Sequence, residues 1–319
     1  MKIKFWGVRG STGAGIRGTA IREKIKRVLR HAAPADILDE EAVERFLKSL
    51  PFSLVQTYGG NTTCIEVRTR SDDLIILDAG TGIRDLGNEM MKGPYAKGLG
   101  ECHICFTHTH WDHIQGLPFF VPFYIPGNMF HIHAVSDRIE ERLRYQHNPE
   151  HFPVTYEGMQ SSRTYTQHEA DDEWNLHGLR IRHKAMRHPG GSYSYRFEED
   201  GRVFIFGSDA EFNMDDMEHI EDFLEYFRGA DVLVFDTQYT FEEQLQKIDW
   251  GHSSASYATD IAMKSGVKNL VLFHHDPSYD DEKLDEVFLR ALRYKEMMDT
   301  NADSPLRITM AYEGLEMEV

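Results

Sequence analysis

The segment "CFTHTHWDHIQG", residues 105–116, constrains this chain more than any other stretch. His108, His110, Asp112 and His113 fall within six positions, after the apolar run "CHICF" and before the apolar "LPFFVPF". Ionisable groups that enter an apolar interior need partners that offset their lost hydration. The fold must hold these side chains at the rim of a rigid core and bring counter-charges from elsewhere. An H-x-H pair on an extended segment turns both imidazoles to one side, because side chains alternate with period two. His108 and His110 can then share one cation. Asp112 and His113, where the chain turns, can face a second. Imidazole nitrogens and carboxylate oxygens suit zinc, with manganese and iron as alternatives.

Other apolar runs also end on polar residues. "MRHPGGSYSY" carries His188 ahead of two glycines, and "VFIFGSD" ends on Asp209, a carboxylate able to bridge two cations. "LVLFHHD" offers His274 or His275, and "ADVLVFD" ends on Asp236. Strand ends that converge on one crevice are where α/β proteins place their chemistry. The central motif with His188, Asp209 and one of His274 and His275 makes seven candidate ligands, enough for a site holding two divalent ions. His131 and His133 repeat the H-x-H spacing without a following carboxylate and read as strand imidazoles. Cys102 and Cys105 form a C-x-x-C with no second pair and read as core.

Strands are predicted at "KIKFWGV", "TCIEVRTR", "DLIILDAG", "CHICFTH", "MFHIHAV", "LRIRHKAMRHP", "YSYRFEED", "RVFIFGSD", "ADVLVFD", "VKNLVLFHHD" and the closing "LRITMAYEGLEMEV". Helical spacing marks "SDRIEERLRYQ" with Ser136 as N-cap, "MEHIEDFLEYFRG", "HSSASYATDIAMKSG" and "DEKLDEVFLRALRYKEMM". The strands of the first half read as mostly antiparallel, and helix alternates with strand in the second. Helices must cover the faces of such sheets, which gives a layered α/β sandwich. Residues 16–50 differ: two charged amphipathic helices form an insertion, each expected to bury one face. No linker divides the 319 residues, so a single domain over 1–319 is expected.

The chain holds 35 Lys and Arg against 52 Asp and Glu, a net charge of −17, which opposes a long polyanionic partner. Three cysteines fit a reducing compartment, and no run is long and apolar enough for a membrane span. A cytoplasmic location follows as the expectation.

The H-x-H-x-D-H motif at His108–His113 resembles that of the metallo-β-lactamase superfamily. "FWGVRGS", "YGGNTTC", "LDAGTGIRDLG", "GHSSAS" and "FHHDP" resemble its branch containing ribonuclease Z and the bacterial and phage cyclic-nucleotide phosphodiesterases. The resemblance covers nearly all of the chain except 16–50. It implies a four-layer αββα sandwich and a homodimer. It implies that His108, His110 and His188 hold one metal, that Asp112, His113 and His274 hold the second, and that Asp209 bridges. His274 rather than His275 fits the family spacing.

Two such ions generate hydroxide at neutral pH and neutralise phosphodiester oxygens, so a bridging hydroxide is the expected nucleophile. Asp112 then serves as ligand and catalytic residue. The resemblance places a catalytic histidine at His252, a proton donor to the leaving alkoxide. Glu211 is the carboxylate expected to support it. Arg9 in "GVRGSTGAG" and Asn61 in "YGGNT" are candidate substrate contacts, although both stretches read first as turns. Asp78, ending "LIILD", is expected to orient a ligand histidine from behind. Trp111, Phe152, Tyr193 and Tyr195 are aromatic candidates for stacking on a base. The leading expectation is hydrolysis of 3′,5′-cyclic nucleotides to nucleoside monophosphates. A ribonuclease Z-like RNA endonuclease is the alternative, followed by hydrolysis of a lactam, lactone or thioester.

Overall fold

Runs such as Leu74–Leu77 and Val232–Asp236 are apolar at successive positions, so both faces of each strand need cover. A computed structural model, which describes residues 1–212, 220–299 and 306–319, shows how that cover is supplied. Strands β1 (Lys2–Gly7), β2 (Cys64–Arg68), β3 (Leu74–Leu77), β4 (Glu101–Phe106), β5 (Met129–Ala134) and β6 (Ser162–Gln167) come first. Next are β7 (Glu173–Leu176), β8 (Leu179–Met186), β9 (Ser192–Glu199), β10 (Arg202–Phe206), β11 (Val232–Asp236), β12 (Asn269–Phe273) and β13 (Arg307–Met310). β14 (Glu316–Glu318) returns to the first group. Two seven-stranded sheets result, ordered β14-β1-β2-β3-β4-β5-β6 and β13-β12-β11-β10-β9-β8-β7.

Alternation sorts the side chains into three apolar layers. Ile75, Leu77, Val232 and Val234 meet between the sheets with Phe5, Phe206 and Phe273. Leu74 and Ile76 face outward onto Ile83 and Leu86 of the helix Gly82–Met90. Leu233 and Phe235 face the other way, onto Ala258 and Ile261 of Ala255–Lys264 and Leu284 of Asp281–Met298. Helices thus cover both outer faces, as the αββα expectation requires.

Several expectations need correction. Both sheets are mixed: β1, β2 and β3 pair antiparallel, but β3 to β6 run parallel. β6 and β7 were not anticipated, because edge strands with polar exposed faces lack an apolar signature. The closing segment forms two strands in different sheets. Ser136 does not cap the following helix, Ile139–Gln146, whose N-cap is Arg138 in the left-handed region at φ 51°. The start of the helix read at 217–229 lies outside the described residues; Ile220–Phe227 is helical.

Residues 16–50 do form two helices, Gly18–His31 and Glu40–Ser49. No residue of the first is buried, so its apolar Ile21, Ile25 and Leu29 stay exposed, against expectation. Ion pairs from Lys24 to Asp281 and from Arg27 to Glu282 attach it to the body.

At the β5–β8 edge, imidazoles line up between the sheets. His133 Nε2 lies 3.0 Å from His103 Nδ1, and its Nδ1 lies 3.0 Å from His168 Nε2. Trp174 stacks on His133 at 4.4 Å and donates to His183. Burial, reinforced by neighbouring imidazoles, lowers His103 to about 4, His133 to about 3 and His183 to about 4. Their folded values lie below the unfolded value near 6.5, so their contribution is complete above about pH 6.5. It falls away as pH drops toward 4, by at most about 1.4 kcal/mol per pH unit for each imidazole kept neutral. Urea midpoints measured from pH 7.5 to 4.5 should decline, and His133→Phe, which keeps the stack, should decline less steeply.

Candidate metal centre

The site forms where strand ends of both sheets meet. Four non-glycine residues there adopt the left-handed region: Ser11 in the turn after β1 (φ 58°), Asp78 after β3 (φ 58°), Ser208 after β10 (φ 57°) and His274 after β12 (φ 63°). Such backbone costs about 1–3 kcal/mol per residue and persists only where the surroundings over-determine it. Here it turns the chain sharply at the sheet edge, so that Asp78, His274 and, after Ser208, Asp209 face the crevice.

His108, His110 and His188 form one group, with ring centroids 4.6–4.9 Å apart pairwise. Asp112, His113, Asp209 and His274 form the other. His274 Nε2 lies 3.0 Å from Asp112 Oδ2 and 3.3 Å from Asp209 Oδ1. His113 Nε2 lies 3.2 Å from Asp209 Oδ2, which is also 3.6 Å from His108 Nε2 and 3.9 Å from His188 Nε2. Asp209 therefore stands between the groups. All seven candidate ligands come together, and His275 does not join them: its ring donates to the Ala311 carbonyl.

Supporting contacts orient the rings. His113 Nδ1 donates to Asp78 Oδ2 at 2.8 Å, and Asp78 also accepts from the Thr107 amide and hydroxyl. His188 Nδ1 donates to the Gly251 carbonyl at 2.8 Å. Each bond leaves Nε2 as the nitrogen available to a cation. The turn after β1 reaches in as well, where the Ser11 amide donates to Asp112 Oδ2 at 2.7 Å. A Cβ at Gly10 would stand 2.4 Å from the His274 ring, and one at Gly251 2.3 Å from the His188 ring.

The electrostatics call for positive charge. Burial favours neutral acids, yet His113 and His274 hold Asp112 and Asp209 well below the usual carboxylate range. Burial opposes protonation of His113 and His274, but the carboxylates prevail, raising His113 well above its ordinary value and His274 to about 9. Burial and crowding by other imidazoles lower His108, His110 and His188 instead. The buried His108 Nε2 has no hydrogen-bond partner. Three imidazoles kept neutral, two ionised carboxylates and an unsatisfied nitrogen make a donor set that fits divalent cations.

His252 packs against both groups, 5.2 Å from the His188 ring and stacked on His274 at 5.0 Å. Its carboxylate partner is Asp236, with Nδ1 2.7 Å from Oδ2. Glu211, expected in that role, instead accepts from the amides of Asp249 and Gly251 and shapes the loop that carries His252. The sequence had marked Asp236 only as a strand end. Its Oδ1 also lies 3.8 Å from His274 Nδ1.

Arg9 and Asn61 have other duties. The buried Arg9 guanidinium donates to the carbonyls of Gly59, Asp276 and Tyr279, fastening three loops. Asn61 donates to Asp85 and Glu313. Tyr195 is core, with its hydroxyl on the Phe106 carbonyl.

The family described as "Beta-lactamase superfamily domain" matches residues 74–275, a span holding all seven clustered residues. The chain belongs to the beta-lactamase superfamily. Ribonuclease Z of Thermoplasma acidophilum is 25% identical over 294 residues, 77% of this chain and 89% of that protein. Ribonuclease Z of Brevibacillus brevis is 36% identical over 84 residues, 26% of this chain and only 24% of its own length. Among solved structures, the metallo-β-lactamase fold protein YhfI of Bacillus subtilis aligns over 100% of this chain and 98% of its own at TM-score 0.64 and 16% identity. Unliganded yeast PDE1 aligns over 100% and 99% at 0.64 and 14%, and these two likenesses speak for the fold. In this superfamily member, among the described residues, no helix is long and apolar enough to cross a membrane.

Asp209→Ala should lower bound divalent metal, measured by elemental mass spectrometry, and abolish turnover with it. Gly251→Ala should do the same more weakly by displacing His188, since φ is +89° there and the added methyl meets the ring; circular dichroism should stay native.

Proposed function

We propose that the protein is a metal-dependent phosphodiesterase that hydrolyses 3′,5′-cyclic nucleotides to nucleoside monophosphates. The observation that carries this reading is the paired His/Asp cluster with the His252–Asp236 couple, 2.7 Å apart, against it. His108, His110 and His188 would hold one divalent ion, Asp112, His113 and His274 a second, with Asp209 shared; zinc suits these ligands best. When bound, the ions supply an activated water and neutralise the phosphoryl oxygens. Asp236 accepts the Nδ1 proton of His252 and fixes that ring, leaving Nε2 to carry the proton delivered to the departing alkoxide. Asp112 keeps its carboxylate between Ser11 and His274, so the ligand geometry is set before substrate arrives. Glu211 fixes the His252 loop through its amides.

A net charge of −17 supports a small substrate over long RNA. The matches to ribonuclease Z favour a second reading, RNA cleavage by the same centre. A homodimer and a cytoplasmic location belong to the proposal: family resemblance supports the first, and three free cysteines the second.

Incubation with cyclic mononucleotides, cyclic dinucleotides and a 3′-extended tRNA, each with a chelated control, separates the readings. Chelator-sensitive loss of cyclic mononucleotides with intact tRNA is the expected result; cleavage of tRNA alone would replace it with the endonuclease reading. His252→Ala should keep its metal and lose about 10²–10⁴-fold in kcat. Unchanged turnover in that variant would remove the proton-transfer role.

A further inference from the structure

A cleft of about 1000 Å³ opens beside the metal-binding loop and not on top of it. Its inner wall is that loop: Thr109 and Trp111 line the cleft from positions that alternate with His108, His110 and Asp112. The opposite wall is the helix Ile139–Gln146 with the chain beyond it, carrying Tyr145 and Phe152.

Four aromatic side chains converge here. Trp111 is 76% exposed, Tyr145 72% and Phe119 55%, while Phe152 meets Phe119 edge to face at 5.5 Å. Large exposed rings grouped in one concavity are costly to leave in water and mark a binding surface. Two bonds hold the walls in place without a ligand. Arg142 Nη1 donates to Thr109 Oγ1 at 3.1 Å, and Gln146 Nε2 donates to the Ile114 carbonyl at 2.8 Å. The cleft is therefore preformed and its spacing from the metal ligands fixed through the shared loop.

We infer that this cleft is a nucleoside subsite, in which Trp111 and Phe119 receive the base of a nucleotide whose phosphodiester lies at the metal centre. The inference rests on the phosphodiesterase reading and narrows it to substrates with an aromatic base. Stacking on aromatic rings tolerates every base, because each has a π-face. A cleft of this size also exceeds what one methyl or sugar substituent would fill, and lies in the range of small-molecule sites. Trp111 and Phe119 ligate nothing and transfer no proton; they position the substrate.

The test uses metal-loaded full-length protein, Trp111→Ala, Phe119→Ala and the conservative Trp111→Phe. With 3′,5′-cyclic AMP, each alanine variant should raise KM about tenfold, as expected for one lost stacking platform, with kcat within about twofold. Trp111→Phe should recover most of the loss. Hydrolysis of methyl p-nitrophenyl phosphate, which has no nucleoside, should keep its kcat/KM within about twofold. Calorimetry should show AMP binding more tightly than ribose 5-phosphate to wild type, and that preference should vanish in the alanine variants. Equal losses with both substrates, or an unchanged KM for cyclic AMP with AMP binding intact, would overturn the subsite while leaving the phosphodiesterase reading in place. Base-dependent AMP binding that needs Trp111, without any phosphodiester turnover, would keep the subsite and remove that reading. A fall from dimer to monomer in the alanine variants, with unaltered KM, would assign the cleft to a second copy of the chain and reject the subsite.

Discussion

Four carboxylates, Asp78, Asp112, Asp209 and Asp236, are buried at the joint between the two sheets, and the rest of the site is arranged around their charge. An isolated buried carboxylate would take up a proton, since desolvation penalises the charged form. Imidazoles and backbone amides surround each one: Thr107 and His113 on Asp78, Ser11 and His274 on Asp112, His113 and His274 on Asp209, His252 and Ala210 on Asp236. On Asp112 and Asp209 the imidazoles prevail over burial, while burial still raises Asp78. Without cations, raised proton affinity at His113 and His274 supplies the missing positive charge. A divalent ion held by these residues would supply that charge in place of the protons on the two rings. Metal binding and proton release are then two sides of one electrostatic demand.

Such a demand is met only if the groups cannot move apart. The sheets provide the rigidity, through apolar layers on both faces of β3, β4, β10, β11 and β12. Strained turns at Asp78, Ser208 and His274 spend some of that stability on aim. Glycines remove the remaining obstacles, because only a residue without Cβ lets the β1 turn pass the His274 ring or the His252 loop pass the His188 ring. Arg9 completes the frame from outside by tying the loops at Gly59, Asp276 and Tyr279 to one guanidinium.

The metal cluster was legible in the sequence because each ligand follows an apolar strand, and strand ends in a layered sheet converge. Continuous apolar runs likewise marked the central strands. What escaped depends on distance along the chain. Asp236 lies 16 residues before His252 in another element, while Glu211 looked suitable from its place beside Asp209. The imidazole row joins β4, β5, β8 and the segment after β6, so no local spacing announces it. Arg9 and Asn61 read as substrate contacts because long polar side chains near a site suggest reach. In the fold, neighbouring carbonyls and carboxylates absorb their donors first. Whether adjacent strands run parallel also depends on connections that cross the sheet, which local periodicity does not encode.

Asp236 ties the chemistry together in a way that separates it from substrate choice. One of its oxygens holds His252 and the other faces His274, so the two rings share a single anchor. A change there disturbs both, which leaves little freedom to alter the reaction at the joint. The walls are freer. Trp111, Phe119 and Tyr145 project from the short helix after His110, a short turn and the helix Ile139–Gln146, all outside the sheets. In the proposed reading the chemistry resides in the strand ends, and selection among substrates falls to side chains that the sheets carry but do not pack.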